Sequence, residues 1–301
     1  MTAKERPQPD PRNSIDNRPI VGITTGDPAG IGPEISLKAV ADQSVSAICR
    51  PVLIGDARFL SEVKECLDLA FDLTDFGESS DIHPGKCEVI DLANLPESPL
   101  IGVESAAAGR AAGEYIIAAV DLWKNGRIDA IATAPINKRS LSLGGYEFPG
   151  HTEFFAQLTG TDRFAMSFFA GELRVVLLST HVSLRNAIDA VTIESLSDLI
   201  EFTDRELSRI LGKRVSIAVA GLNPHASENG MFGGEEAATI SPAIHQCREK
   251  GIIVSGPFSP DTIFLRGFKG EFDAVVACYH DQATIAVKSL SFGSSVNVTL
   301  G

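Results

Sequence analysis

The sequence predicts an α/β/α protein with a largely parallel, mixed sheet, and three observations carry that prediction. From Pro19 onward, short apolar runs alternate with helical patterns: PIVGITT, PVLIG, CEVID, IDAIAT, FAMSFFA, LRVVLLS, VSIAVAG and FDAVVAC are the strand candidates. These runs are near-continuously apolar, which suits strands covered on both faces. Alternating strands and helices of this kind build a parallel sheet layered by helices. FAMSFFA and LRVVLLS are separated only by Gly171 and Glu172, a two-residue link with glycine first that suits a tight hairpin, so one antiparallel pair is expected.

The helices have readable ends. Pro33 sits at the first turn of PEISLKAVAD, Thr192 can N-cap TIESLSDLIEFTDRELSRIL, and Gly212 can supply its C-terminal stop. A chain of 301 residues, 44% hydrophobic, has material for one large or two ordinary domains. No apolar run approaches the roughly 18 residues of a membrane span, and the charged, proline-rich segment 1–18 lacks the apolar stretch of a signal peptide, so it is expected to be a disordered tail. Cys49, Cys66, Cys87, Cys247 and Cys278 are odd in number and scattered, which suggests neither a disulfide framework nor a cysteine zinc site and suits a reducing cytoplasm. The net charge of -13 disfavours nucleic acid and anionic membranes as partners.

Three histidines stand two to four residues beyond apolar runs: LRVVLLSTH ends at His181, VSIAVAGLNPH at His225 and FDAVVACYH at His280. In open parallel sheets ligands bind outside the carboxyl ends of the strands. Imidazole is a common ligand for zinc, cobalt or nickel, and three neutral imidazoles leave positions open for substrate or water. His83 and His245 lack such a setting and read as structural or solvated. Asn137 and Lys138 also follow a strand, and His151 and Thr152 begin a helix, where free N–H groups can hold a phosphate or carboxylate, or where Thr152 merely caps. The loop TTGDPAGIGPEI lacks both G-x-G-x-x-G spacing and a P-loop pattern; Gly26, Gly30 and Gly32 can serve a tight turn into the helix at Pro33.

Taken together, TTGDPAGIGPEI, ATAPINK, PGHTEFFAQLT, STHVSLRNA, GLNPHASENGMFGGEE, GPFSPDT, YHDQ and FGSSVNVTLG resemble, in order and spacing, the 4-hydroxythreonine-4-phosphate dehydrogenase family of vitamin B6 biosynthesis. The resemblance runs from about Pro19 to the last residue. It implies an isocitrate/isopropylmalate dehydrogenase-like fold of two α/β/α lobes, 19–145 plus 290–301 and 146–289, with the active site in the cleft between them and the metal site and dimer contacts in the second. It implies a cytoplasmic homodimer that uses NAD (or NADP) and a divalent metal, whether zinc, cobalt, magnesium or manganese. The family's metal ligands fall on His181, His225 and His280, and its substrate contacts on His151, Thr152, Lys288 and Asn297. Two departures stand out: Ala283 occupies a position where the family usually has glycine, and the family continues past VNVTLG with a segment bearing a phosphate-binding arginine, whereas this sequence ends at Gly301.

The implied reaction is oxidation, with decarboxylation, of 4-phosphohydroxy-L-threonine to 3-amino-2-oxopropyl phosphate, with Asp281, Asp261 and Lys138 as candidates for the proton-abstracting base. Related dehydrogenases act on D-threonate or D-erythronate 4-phosphate. The histidine pattern alone also permits a metal hydrolase or lyase working without NAD, or a non-catalytic metal-binding protein.

Overall fold

The computed structural model describes residues 18–77 and 85–301; His83 and the expected tail, save its last residue, lie outside them. The chain divides into two units between Thr161 and Asp162. The first holds a five-stranded sheet in the order β3-β4-β2-β1-β5, made of β1 (Ile20–Thr24), β2 (Arg50–Gly55), β3 (Asp72–Asp75), β4 (Lys86–Asp91) and β5 (Ala130–Thr133), with every neighbouring pair parallel. Its helices are α1 (Gly32–Ala41), α2 (Gln43–Ile48), α3 (Ala57–Cys66), α4 (Ala106–Lys124), α5 (Lys138–Leu143) and α6 (His151–Thr159). Consecutive side chains of a strand point to opposite faces, and here both faces are covered. Ile54 packs with Ala111, Tyr115 and Ala119 of α4, whereas its neighbour Leu53 packs with Leu37 of α1 and Leu60 of α3.

The second unit repeats this logic on a mixed sheet. β6 (Ala165–Ala170), β7 (Leu173–Leu177), β8 (Ile217–Ala220), β9 (Val254–Phe258), β10 (Ala274–Ala277) and β11 (Val296–Leu300) lie in the order β11-β6-β7-β10-β8-β9. β7, β10, β8 and β9 run parallel; β6 is antiparallel to both β7 and β11. Val176, Ile217, Val219 and Val276 pack toward α8 (Ile193–Leu211) and α9 (Ser241–Glu249), while Val175, Leu177, Ala218, Val275 and Ala277 face α10 (Pro260–Phe268) and α11 (His280–Ser291). The remaining helix is α7 (Leu184–Asp189). Val175, Val176, Ile217, Val219, Val275 and Val276 are each fully buried and contribute roughly 1.5–3 kcal/mol apiece by leaving water. This double burial is why the strands read as unbroken apolar runs.

The expected hairpin is present: Ala170 pairs with Leu173, and Gly171 takes φ +60° in the two-residue link. Thr192 N-caps α8, accepting from the Ser195 amide while the Ser195 hydroxyl accepts from the Thr192 amide, and Gly212 ends the helix with φ +65°. In the loop before α1, Gly26 has φ +69° and Gly32 packs so closely on Thr25 that a Cβ would stand 2.2 Å from its carbonyl oxygen. Residues 290–301, expected with the first lobe, instead complete the second sheet through β11. Ala283, where a glycine was the family expectation, is fully buried among the side chains under α11. No helix of the described residues is long and apolar enough to cross a membrane.

Candidate functional site

Three neighbouring parallel strands of the second sheet, β7, β10 and β8, end on the same side. Past their carboxyl ends come Ser179-Thr180-His181, Cys278-Tyr279-His280 and Asn223-Pro224-His225. The fold thus puts the three predicted histidines on adjacent strand ends. The rings of His181 and His280 lie 5.9 Å apart, centre to centre. Two imidazoles sharing one tetrahedral ion, with nitrogens about 2.1 Å from it, would have ring centres about 5 Å apart, so this pair stands somewhat wider than a shared ion requires. His225 stands against Phe232, with ring centres 6.2 Å apart. Among the described residues no three His, Cys, Asp or Glu side chains are grouped to hold an ion as they stand.

The loop carrying His225 is strained. The five residues from His225 to Asn229 all have positive φ, between 46° and 71°, in a region that costs an L-residue roughly 1–2 kcal/mol. Glu236, 4% exposed, holds the segment's start: its carboxylate accepts the amides of Leu222 (2.8 Å) and Asn223 (2.7 Å) and the Asn223 side-chain amide (3.0 Å). Ser227 donates its hydroxyl to the Gly233 carbonyl and accepts the Gly230 amide. Such strain persists only where surrounding bonds over-determine it.

His280 opens α11, and its Nδ1 lies 2.8 Å from the Asp281 carboxylate. That contact fixes the ring and leaves Nε2 for a ligand. Asp261 is exposed in the first turn of α10 and accepts the Ser259 hydroxyl; α10 packs on the Pro224–Glu228 turn. The structure does not gather Lys288 or Asn297 around the histidine pair. Lys288 is exposed on α11, about 12 Å along the helix from His280 at 1.5 Å per residue. Asn297 is exposed on the edge strand β11, three strand spacings, about 14 Å, from β10.

In the first unit, the Asn137 side chain caps α5 by accepting the Ser140 amide, with exposed Lys138 next to it. His151 and Thr152 are the first two residues of α6, whose N-cap is Gly150, with no side-chain cap bond; Thr152 is therefore not the cap. The His151 Nε2 is enclosed and has no hydrogen-bond partner, and burial lowers the pKa of the ring, favouring neutral imidazole. His245 is exposed on α9, with Nε2 3.6 Å from Glu249.

One chemically marked residue escaped the sequence reading. Asp27, 5% exposed, lines a cavity of about 260 Å³ with Glu104, Asn137, Ile31 and Val103. Burial raises its pKa despite the hydrogen bond that Oδ1 accepts from the Ala29 amide. Its place among the glycines of TTGDPAGIGPEI was the available signal.

A family model described as pyridoxal phosphate biosynthetic protein PdxA matches residues 47–301. The chain is 44% identical over 289 residues to the D-threonate 4-phosphate dehydrogenase of Cupriavidus necator, with 95% of this chain and 87% of that protein covered. It is 42% identical over 290 residues to a 4-hydroxythreonine-4-phosphate dehydrogenase of Desulforapulum autotrophicum, covering 95% of this chain and 85% of the relative. Among solved structures, a 4-hydroxythreonine-4-phosphate dehydrogenase from Burkholderia phymatum superposes with a TM-score of 0.86 at 42% identity, covering 95% of this chain and 88% of that one.

Proposed function

The chain belongs to the PdxA family of pyridoxal phosphate biosynthetic proteins and is a dehydrogenase, and on that premise we propose that it oxidises a 4-phosphorylated hydroxy acid with NAD and a divalent metal, 4-phosphohydroxy-L-threonine being the first substrate to test. The observation that carries the metal-dependent reading is the pairing of His181 and His280 at the ends of adjacent parallel strands. His181, His280 and His225 would hold the ion. When bound, such an ion would lower the pKa of the substrate hydroxyl and offset the charge left by loss of CO2, and a nicotinamide would supply the hydride acceptor.

The chain's own residues divide the remaining work. Asp281 orients the His280 ring through Nδ1. The proton of the substrate hydroxyl goes to one of Asp261, Asp281 and Lys138, each exposed and therefore able to pass it on to solvent. His151, held neutral by burial, with Thr152 at a helix start, Lys288 and Asn297, supplies polar contacts for a phosphorylated acid that the overall charge of -13 would otherwise repel. A homodimer of cytoplasmic residence completes the proposal, with the dimer testable by light scattering.

A second reading rests on a specific observation: relatives of near-equal identity carry the D-threonate 4-phosphate name. Assays of NADH formation and CO2 release with 4-phosphohydroxy-L-threonine, D-threonate 4-phosphate and D-erythronate 4-phosphate, with and without added divalent metal, decide between them. Metal-dependent NADH from one of these acids is the expected result. Turnover without NAD would overturn the dehydrogenase chemistry in favour of a metal hydrolase or lyase, and no turnover from metal-loaded folded protein would leave a binding protein.

A further inference from the structure

A single side chain bridges the loops that lead to His225 and His280. Gln282, in the first turn of α11, accepts the Cys278 amide through Oε1 at 2.7 Å and donates from Nε2 to the Gly221 carbonyl at 2.7 Å. Cys278 is the first residue past β10 and Gly221 the first past β8. Backbone pairing of these two strands ends at Val276 and Val219, so the carboxamide takes over where the ladder stops. The Cys278 thiol adds only a weak contact to the Ala220 carbonyl at 3.6 Å. On its other side the Cys278 carbonyl accepts the Ser179 hydroxyl at 3.1 Å. The Cys278 peptide is thereby tied by its N–H toward the His225 loop and by its C=O toward the His181 loop.

A carboxamide suits this task because it has an acceptor at one end and donors at the other, and the two backbone groups it meets are one N–H and one C=O. A carboxylate of the same shape would accept the Cys278 amide but face the Gly221 carbonyl with a second acceptor. We propose that Gln282 is a positioning residue for the histidine site, fixing how far the backbone leading to His225 stands from the backbone leading to His280. The inference rests on the reading that these histidines hold a divalent ion. Supports that orient metal ligands are worth about ten- to a hundredfold in metal affinity when removed.

The opposite end of the same two strands supplies a control, since Ser216 there bonds Asp273 and pairs the strands without touching any histidine. Cobalt(II) alone is titrated into wild type, Gln282→Glu, Gln282→Leu and Ser216→Ala, following visible absorption, with a melting curve for each. Gln282→Leu separates loss of the bridge from the negative charge that Gln282→Glu adds. The expected result is cobalt affinity weaker by ten- to a hundredfold, with altered absorption bands, in both Gln282 variants, and wild-type affinity and bands in Ser216→Ala despite its lower melting point. Wild-type cobalt binding by either folded Gln282 variant would overturn the inference, as would an equal loss in Ser216→Ala, which would make the effect one of general stability. Wild type taking up no cobalt would overturn the metal reading and this inference with it.

Discussion

β8 and β10 lie side by side in the second sheet, and their two ends are built on different terms. At the amino end the polar groups of Ser216, Asp273 and Lys213 bond to one another. The Asp273 carboxylate accepts the Ser216 amide at 2.8 Å and hydroxyl at 3.0 Å and pairs with Lys213 at 2.6 Å, while the Asp273 amide meets the Ser216 carbonyl at 2.9 Å. At the carboxyl end the side chains that serve structure, Gln282, Ser179 and Glu236, bind backbone, and the imidazoles of His181 and His225 are left exposed beside a run of left-handed residues. An end whose polar groups satisfy one another stabilises the sheet. An end that braces its backbone and leaves the His181 and His225 imidazoles exposed is poised to bind something.

The sharpest test of that contrast exchanges the effects of the two ends. His280→Ala should lower metal-dependent turnover at least about a hundredfold, since an ion's charge stabilisation is worth several kcal/mol, while the melting point moves little because the ring's bond to Asp281 lies at the exposed surface. Asp273→Ala should do the reverse: a loss of about 2–3 kcal/mol in urea unfolding, from charge-assisted bonds that are worth more than neutral ones, with kcat and KM unchanged. A large activity loss in Asp273→Ala would erase the distinction between the ends.

Glu236→Ala is the intermediate case. It strands the Leu222 and Asn223 amides, at a cost of about 1–3 kcal/mol, and it releases the left-handed segment that carries His225. Stability and cobalt affinity should fall together, measured by urea unfolding and by titration on the same preparation. Loss of stability alone would show that the strained loop is held by its other bonds.

Both the fold and part of this contrast were legible in the residue pattern, for a physical reason. A strand covered on both faces is apolar at every position, so its end is visible as the place where polar residues resume, and that is how His181, His225 and His280 could be located at strand ends. Three of the four edge strands give no such signal: β3 is the polar DLTD, β9 carries Gly256-Pro257, and β11 leaves Val296 and Asn297 exposed. The pairing of β11 with β6 joins Ser167 to Val298, 131 residues apart, and local pattern carries no trace of a partner at that distance. For the same reason the order β7-β10-β8, which makes the three histidines neighbours, had to come from the structure. The residue pattern places His280 just past a strand but gives no sign that α11 begins at His280 itself, and helical rise carries Lys288 away from the histidines.

The amino end also predicts the smaller, pH-dependent effect. Burial works to raise the Asp273 pKa, but the bonds from Lys213 and Ser216 outweigh it and leave the carboxyl below its ordinary value. A group whose folded pKa is depressed contributes stability that is complete above its unfolded value, about 3.9 for aspartate, and is lost as pH falls through the folded value. The stability gap between wild type and Asp273→Asn should therefore be constant from neutral pH down to about 4 and close in stronger acid, as read from urea midpoints of the two proteins across that range. A gap that persisted in acid would mean that the charge is not what ties this end of the strands, and that the Ser216 bonds alone hold β8 to β10 there.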